Sequence, residues 1–146
     1  MHTRLLGTSI LALTLLSVVS AGCKQNTGAN GTTEIGGGVR VSQIDIGRSL
    51  NADKSINDNT NSFKPNDVIY ASIATAGSAP TATLKARWTY QDGQVVDEST
   101  QTIAPTGDAR TEFHISKPDG WPAGKYKLEA FLNGASSGTK DFEVGR

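Results

Sequence analysis

Cys23 has the most distinctive chemistry in this sequence, because it is the only cysteine among 146 residues. A single thiol has no partner within the chain for a disulfide. It directly follows Ser20, Ala21 and Gly22, and a mainly apolar run precedes these small residues. Signal peptidases accept small residues before the cut, and an apolar run of about 15 residues is too short to span a bilayer. The pattern predicts a secretory leader, residues 1–22, cleaved before Cys23.

The four residues that end at Cys23 resemble the lipobox of bacterial lipoproteins, in which the cysteine becomes the lipidated first residue. That family usually has Leu three places before the cysteine, whereas this chain has Ser20, with Val19 before it. The resemblance implies that Cys23 carries palmitate and further acyl chains that hold the protein at the membrane. In the family, Asp after the cysteine favours the inner membrane. Because Lys24 stands there, we expect the outer membrane, with the domain facing the periplasm.

His114 is the next candidate for chemistry, since the only other histidine, His2, belongs to the leader. Phe113 and Ile115 alternate with it, so His114 should lie on the opposite face of its strand. There we expect a solvated or cross-strand-paired side chain. The sequence contains no nucleophile elbow, paired-histidine metal spacing or phosphate-binding glycine loop. We therefore predict no enzymatic activity, no catalytic residue, no cofactor and no bound metal.

The segment 48–66 is rich in Asn and Asp, whose oxygens are typical ligands of calcium. The residues concerned are Asp53, Asn57, Asp58, Asn59 and Asn61. An EF-hand loop that began at Asp58 would need Gly at its sixth position and Glu at its twelfth, where this chain has Phe63 and Ile69. Because Asn and Asp also favour turns, we expect a solvated connecting loop.

The other polar candidates also favour structural roles. Asp97 and Glu98 are adjacent in a predicted strand and so point to opposite faces, which prevents them from forming an acid/base pair alone. We expect the basic residues of the strands, Lys85, Arg87, Lys125 and Lys127, to face solvent. Trp121 lies in a loop, where an indole can stack on a sugar. Its neighbours Pro122 and Tyr126 favour an indole that caps one end of the domain.

The charge balance argues against one class of partner. The sequence has 14 basic and 14 acidic side chains and a formal net charge of zero. Because binding to a phosphate backbone relies on a basic surplus, we expect no nucleic-acid partner. The glycine-rich segment 23–38 has almost no apolar side chain and is predicted to be a flexible linker behind the lipidated Cys23.

From residue 39 onward the hydrophobic pattern has a period of two. Alternation predicts a half-buried strand, and no segment has the period of an amphipathic helix. The parity changes near Ser42 or Gln43, which predicts a bulge. Asp92-Gly93 predicts a type I′ hairpin turn, and Asn133-Gly134 a second turn. The predicted strands are 39–46, 68–75, 84–90, 94–103, 111–115, 126–132 and 140–144. About seven short strands of this kind are typical of an antiparallel β-sandwich.

Pro122, Gly124 and Tyr126 match the Pro-x-Gly-x-Tyr pattern and resemble the tyrosine corner of fibronectin III-like and immunoglobulin-like domains. In such a corner the tyrosine hydroxyl bonds to the backbone upstream. Trp88 stands where these domains place their central core tryptophan. Residues 39–145 further resemble the immunoglobulin-like domain of small proteobacterial lipoproteins, a family that brings no known activity. The shared segments are 69–72, 86–88, 92–94 and 119–126.

These observations together predict a lipid-anchored envelope protein whose immunoglobulin-like domain, residues 39–146, is a non-catalytic binding or scaffolding module. We expect two partners, the membrane through the lipid on Cys23 and an envelope protein. Two alternatives remain open. The domain could be a carbohydrate-binding or small hydrolytic accessory domain, which needs polar groups clustered in a pocket, or an envelope protease inhibitor that acts through its end loops.

Overall fold

The computed structural model describes residues 38–145, and within them the backbone forms eight strands and no helix. The strands are β1 (Arg40–Gly47), β2 (Ser62–Phe63), β3 (Ile69–Ala76), β4 (Ala82–Tyr90), β5 (Val95–Ile103), β6 (Ala109–Ile115), β7 (Gly124–Leu132) and β8 (Ala135–Val144). The predicted leader, the lipidation site Cys23 and the linker up to residue 37 lie outside the described residues. Across residues 38–145 no helix is long and apolar enough to cross a membrane.

The strands form two sheets. Sheet 1 has the order β1-β3-β6, and sheet 2 has the order β2-β8-β7-β4-β5. Neighbouring strands are antiparallel, apart from β2 and β8, which run parallel. The predicted immunoglobulin-like β-sandwich is confirmed, with eight strands in place of about seven. The additional strand, β2, was missed because two residues are too short to show an alternating pattern.

The core lies between the two sheets and is built from the predicted alternating side chains. On β4, Leu84, Ala86 and Trp88 are fully buried. The Trp88 indole packs edge-on against Phe142 of β8 at 5.8 Å between ring centroids. Phe142 in turn stacks on Tyr126 of β7 at 5.3 Å. Aromatic pairs of this kind stabilise a core by about 0.5–1.5 kcal/mol each beyond the area that they bury.

The bulge in β1 is confirmed, because the register with β3 shifts between Val41 and Gln43. Strand β8 begins at Ala135, five residues earlier than predicted. A second bulge shifts its register with β7 between Ala130 and Phe131. Next to it, Gly138 has φ +155° and lies so close to Ile44 that an added Cβ would meet the Ile44 Cδ1 at 2.9 Å. This irregularity hid the first half of the strand from the alternation pattern.

The turn at Asp92-Gly93 is not the predicted type I′, which requires positive φ at both central residues. Only Gly93 has positive φ, at 86°. The Tyr90 carbonyl accepts from the Gly93 N–H and the Tyr90 N–H donates to the Gln94 carbonyl, both at 2.8 Å. The loop is therefore a three-residue hairpin with glycine in the left-handed region. The Asn133-Gly134 turn does have two positive φ values, 50° and 83°.

The tyrosine corner is present as the resemblance implied. Tyr126 is 3% exposed, and its hydroxyl donates to the Pro122 carbonyl at 2.7 Å. Burial, with a smaller contribution from the neighbouring Tyr90, raises the pKa of Tyr126. Trp121 is 7% exposed, and its Nε1 donates to the Asp67 carbonyl at 3.2 Å. The indole therefore caps this end of the sandwich, as predicted, and is not free to stack on a ligand.

Candidate functional site

Residues 47–60 form a hairpin between β1 and β2, which we call the excursion hairpin. Gly47 pairs with Asn59 and Leu50 with Ile56 in antiparallel bridges. Backbone bonds continue the pairing up to the turn, including Asn51 N–H to the Ser55 carbonyl at 2.8 Å. The segment is a solvated connection between two strands, as predicted, but its two arms also pair with each other, which the sequence did not indicate. Asn and Asp obscured the pairing because they fit turns as well as irregular loops.

Arg48 fixes the base of the excursion hairpin. Its Nε donates to Asp67 at 2.9 Å, its Nη1 to Asp58 at 3.2 Å and its Nη2 to the Ser62 carbonyl at 2.6 Å. The bonds to Asp67 and Asp58 raise the pKa of Arg48, and the Asp67 bond is the larger cause. The pKa of Asp67 is lowered, first by the backbone N–H of Lys64 and then by Arg48. One guanidinium thus joins both arms of the hairpin to the loop before β3.

The oxygens that suggested calcium are used within the hairpin. Asp53 accepts from the hydroxyl of Ser55 at 2.6 Å and from its N–H at 3.0 Å. These bonds lower the pKa of Asp53, and the nearby Arg110 adds a smaller effect. Asp58 is engaged by Arg48. Across residues 38–145 no group of three or more His, Cys, Asp or Glu side chains is arranged to hold a metal ion.

The tip of the excursion hairpin reaches the outer face of sheet 1 and forms one wall of a polar cleft of about 550 Å³. The cleft is lined by Ser42, Gln43, Asp53, Ala74, Thr75, Asp108, Ala109 and Arg110. These residues come from β1, the hairpin tip, β3, β6 and the loop before β6. The bulge in β1 lies at this cleft, since Ser42 is the residue that the register with β3 skips. Bulges commonly redirect side chains next to binding sites.

Arg110 forms the charged floor of the cleft. Its Nη1 donates to the Ser72 hydroxyl at 3.2 Å and to Asp45 at 3.4 Å. Ser72 is fully buried, and the Asp45 side chain is 15% exposed. Asp45 also accepts from Gln43 through both carboxylate oxygens, at 2.8 and 2.9 Å. Both hydrogen bonds of the guanidinium use Nη1. They hold the guanidinium in place at that end.

His114 lies on the same outer face but away from this cleft. Its Nδ1 is hydrogen-bonded to Glu112 at 2.5 Å, and its ring packs on Tyr70 of β3 at 5.5 Å. The side chain is 56% exposed. The predicted solvated or cross-strand-paired histidine is confirmed. The structure does not bring it together with the cleft residues.

The outer face of sheet 2 carries the predicted basic side chains. Lys85 and Arg87 both lie over the ring of Phe131, at 4.7 and 4.8 Å. Both also bond to Glu98, and the Arg87 bond is the largest cause that lowers the pKa of Glu98. The Asp97 carboxylate accepts a hydrogen bond from the backbone N–H of Glu98 at 2.8 Å. Lys85, Arg87 and Glu98 are therefore paired with one another on a solvated face, as expected.

A second groove, of about 600 Å³, follows the edge of sheet 2 where β2 meets β8. Its charged rim consists of Lys125, Asp141 and Glu143, while Tyr126 and Phe142 belong to its floor. Both aromatic rings are buried in the core. The groove is therefore a shallow surface over the core, with its polar groups spread along the rim. The cleft on sheet 1 is the better candidate site because its polar groups converge.

No protein-family profile matches this chain. No curated protein matches it either. Among solved structures, the C-terminal domain of wzt is similar with a TM-score of 0.52 and 11% identity, over 75% of this chain and 75% of that domain. An immunoglobulin-like protein from Pseudomonas aeruginosa has a TM-score of 0.47 and 18% identity, over 74% of this chain and 97% of that protein.

Other matched proteins are much longer than this chain. One of them is the alkylpurine DNA glycosylase AlkC from Pseudomonas fluorescens, with a TM-score of 0.49 and 15% identity. The aligned region covers 74% of this chain but only 30% of that glycosylase. At such identities the similarity shows the fold alone.

Proposed function

We propose that this chain is a membrane-anchored lipoprotein of the bacterial envelope whose immunoglobulin-like domain is a non-catalytic binding module. The observation that carries the binding role is the cleft between the excursion hairpin and sheet 1. Four separate segments of the chain bring polar side chains into it. Ligand sites typically combine such a concave surface with a few fixed polar groups.

The anchoring half of the proposal is supported by the sequence. A mainly apolar segment that ends in Ser20, Ala21 and Gly22 directly precedes Cys23, and Lys24 after the cysteine favours the outer membrane. A single acyl chain holds a protein only marginally, whereas two or more give stable attachment. The lipids on Cys23 would therefore retain the domain at the membrane surface.

Replacing Cys23 by Ser tests the anchor. We expect the C23S protein to lose palmitate labelling and either to leave the membrane fraction or to accumulate as the uncleaved precursor. Gln25→Ala, a change in the predicted linker two residues after the cysteine, is the matched control and should retain labelling. A C23S protein that still incorporates palmitate and sediments with membranes would contradict the proposal.

The non-catalytic half is supported by the position of His114, which pairs with Glu112 on an open sheet face and lies outside the cleft. We expect the His114→Ala protein to complement a deletion strain fully, and Asp108→Asn, within the cleft, to complement it poorly. Loss of complementation by a stably folded His114→Ala protein would reopen a catalytic role.

A further inference from the structure

We propose that the cleft binds a saccharide unit that is neutral or carries an amine, with Arg110, Asp53 and Asp108 as its principal polar contacts. This inference rests on the proposed binding function and names its ligand class. It is based on the chemistry of the side chains that line the cleft. These residues are distant in sequence and lie together in the fold.

The size and composition of the cleft fit a small hydroxylated ligand. Its volume of about 550 Å³ lies within the roughly 300–1,000 Å³ of small-molecule sites. The lining supplies hydroxyls, an amide, carboxylates and a guanidinium, while its apolar side chains are limited to alanines and the methyl group of Thr75. A sugar offers each hydroxyl as both donor and acceptor, which satisfies carboxylates and a guanidinium at once. An apolar ligand would remove water from the charged Asp53, Asp108 and Arg110 without offering them a hydrogen bond.

Arg110 is prepared for such a ligand. Its recorded bonds to Ser72 and Asp45 both use Nη1. Nε and Nη2 supply further N–H donors in the plane of the same guanidinium. Because Ser72 is fully buried beneath it, the guanidinium is held at one edge and need not lose much side-chain freedom on binding.

The charges of the cleft select against acidic sugars. Asp53 and Asp108 stand beside Arg110, and the charge of Arg110 is already shared with Asp45. The cleft thus carries an excess of negative charge. Like charges brought together in a partly enclosed site oppose binding, so a uronic acid should bind worse than the corresponding neutral sugar, and an amino sugar at least as well.

The wall of the cleft that carries Asp53 is pre-formed. The turn is closed by bonds from Ser55 to Asp53, and the base of the hairpin is fixed by Arg48. A site whose walls are ordered before binding avoids the entropy cost of ordering them.

The test uses the full chain in detergent micelles and three probes with related ring structures: glucose, glucosamine and glucuronate. Saturation-transfer NMR detects the binding of each sugar to the protein, and titration with increasing sugar concentration gives its Kd. We expect glucose and glucosamine to bind and glucuronate to bind at least about tenfold more weakly. The absence of saturation transfer from both glucose and glucosamine would overturn the inference, and so would the tightest binding by glucuronate.

Asp108→Asn is the key variant because Asp108 is exposed on a loop, so that its replacement should leave the fold intact. It should weaken glucosamine binding about tenfold and narrow the difference between glucose and glucuronate, a change in selectivity that a merely structural effect would not produce. Asp119→Asn, an exposed carboxylate in the loop before Trp121, is the matched control and should change nothing. Equal affinities in both variants and the wild type would overturn the assignment of the site.

Failure of this inference is distinguishable from failure of the proposed function. Palmitate labelling and complementation test the anchored binding module without any sugar. If both succeed while the three probes fail to bind, only the ligand class is wrong.

Discussion

Arg48 Nε donates to the Asp67 carboxylate at 2.9 Å across 19 residues of sequence. The bond joins the first residue after β1 to the loop that precedes β3. The excursion hairpin lies between these two points, so the ion pair closes the base of the element that forms one wall of the polar cleft. The Asp67 carbonyl also accepts a hydrogen bond from the indole N–H of Trp121. This bond connects the hairpin to the capped end of the sandwich.

Asp67→Asn should destabilise the domain at neutral pH by about 1–3 kcal/mol, because charge-assisted bonds to Arg48 and Lys64 become neutral or are lost. The folded-state pKa of Asp67 is lowered from its ordinary value of 3.8. Its contribution to stability is therefore complete above about pH 4 and disappears as the pH falls through the lower, folded-state pKa. The measurement is the denaturant midpoint of wild type and variant at pH 7 and at pH 2.5.

The difference in denaturant midpoint between the wild type and the Asp67→Asn variant should be smaller at the acidic pH than at pH 7. Asp119→Asn, with its exposed side chain, serves as the control and should leave the midpoint unchanged at both values. A stability difference for Asp67→Asn that stays constant from pH 7 to pH 2.5 would contradict the role given to the ionised carboxylate.

Tyr126→Phe should lower the free energy of unfolding by about 1–3 kcal/mol, since the partly buried hydrogen bond from the Tyr126 hydroxyl to the Pro122 carbonyl is lost. Tyr90→Phe is the matched control. Its hydroxyl donates to the neighbouring Ala123 carbonyl at 2.9 Å but in an exposed setting, where water replaces the lost donor. We expect the control to cost less than about 1 kcal/mol. Equal urea midpoints for the two variants would count against the tyrosine corner as a buried structural bond.

Gly47→Ala should disturb the excursion hairpin directly. A Cβ at Gly47 would meet the Asp58 carbonyl oxygen at 2.1 Å and Ile56 Cγ2 at 2.4 Å, so backbone must move. We expect a loss of about 1–3 kcal/mol, typical of overpacking, together with faster amide exchange at 48–58. Gly145→Ala, whose nearest contact would be 3.8 Å, is the control. Unchanged exchange in the hairpin of the Gly47→Ala protein would contradict this packing.

Much of the sandwich follows from the sequence alone because its determinants are local. Alternation along a strand identifies the buried face, as for Leu84, Ala86 and Trp88, since a one-residue slip would expose the whole set. The Pro122–Tyr126 spacing predicts a corner because the hydroxyl reaches a carbonyl four residues upstream. The pattern that predicts a leader before Cys23 is equally local, and both the leader and the anchor remain predictions.

The excursion hairpin and the cleft required the tertiary structure. Arg48 and Asp67 are 19 residues apart, and Arg110 meets Asp45 across 65 residues. Neither contact leaves a periodic signal, because each depends on which strands become neighbours and in which register. Asp53, Asp108 and Arg110 each look like ordinary solvated side chains in the sequence. They converge because the parity shift at Ser42, the fold of residues 47–60 and the pairing of β3 with β6 act together, and only the complete fold fixes all three.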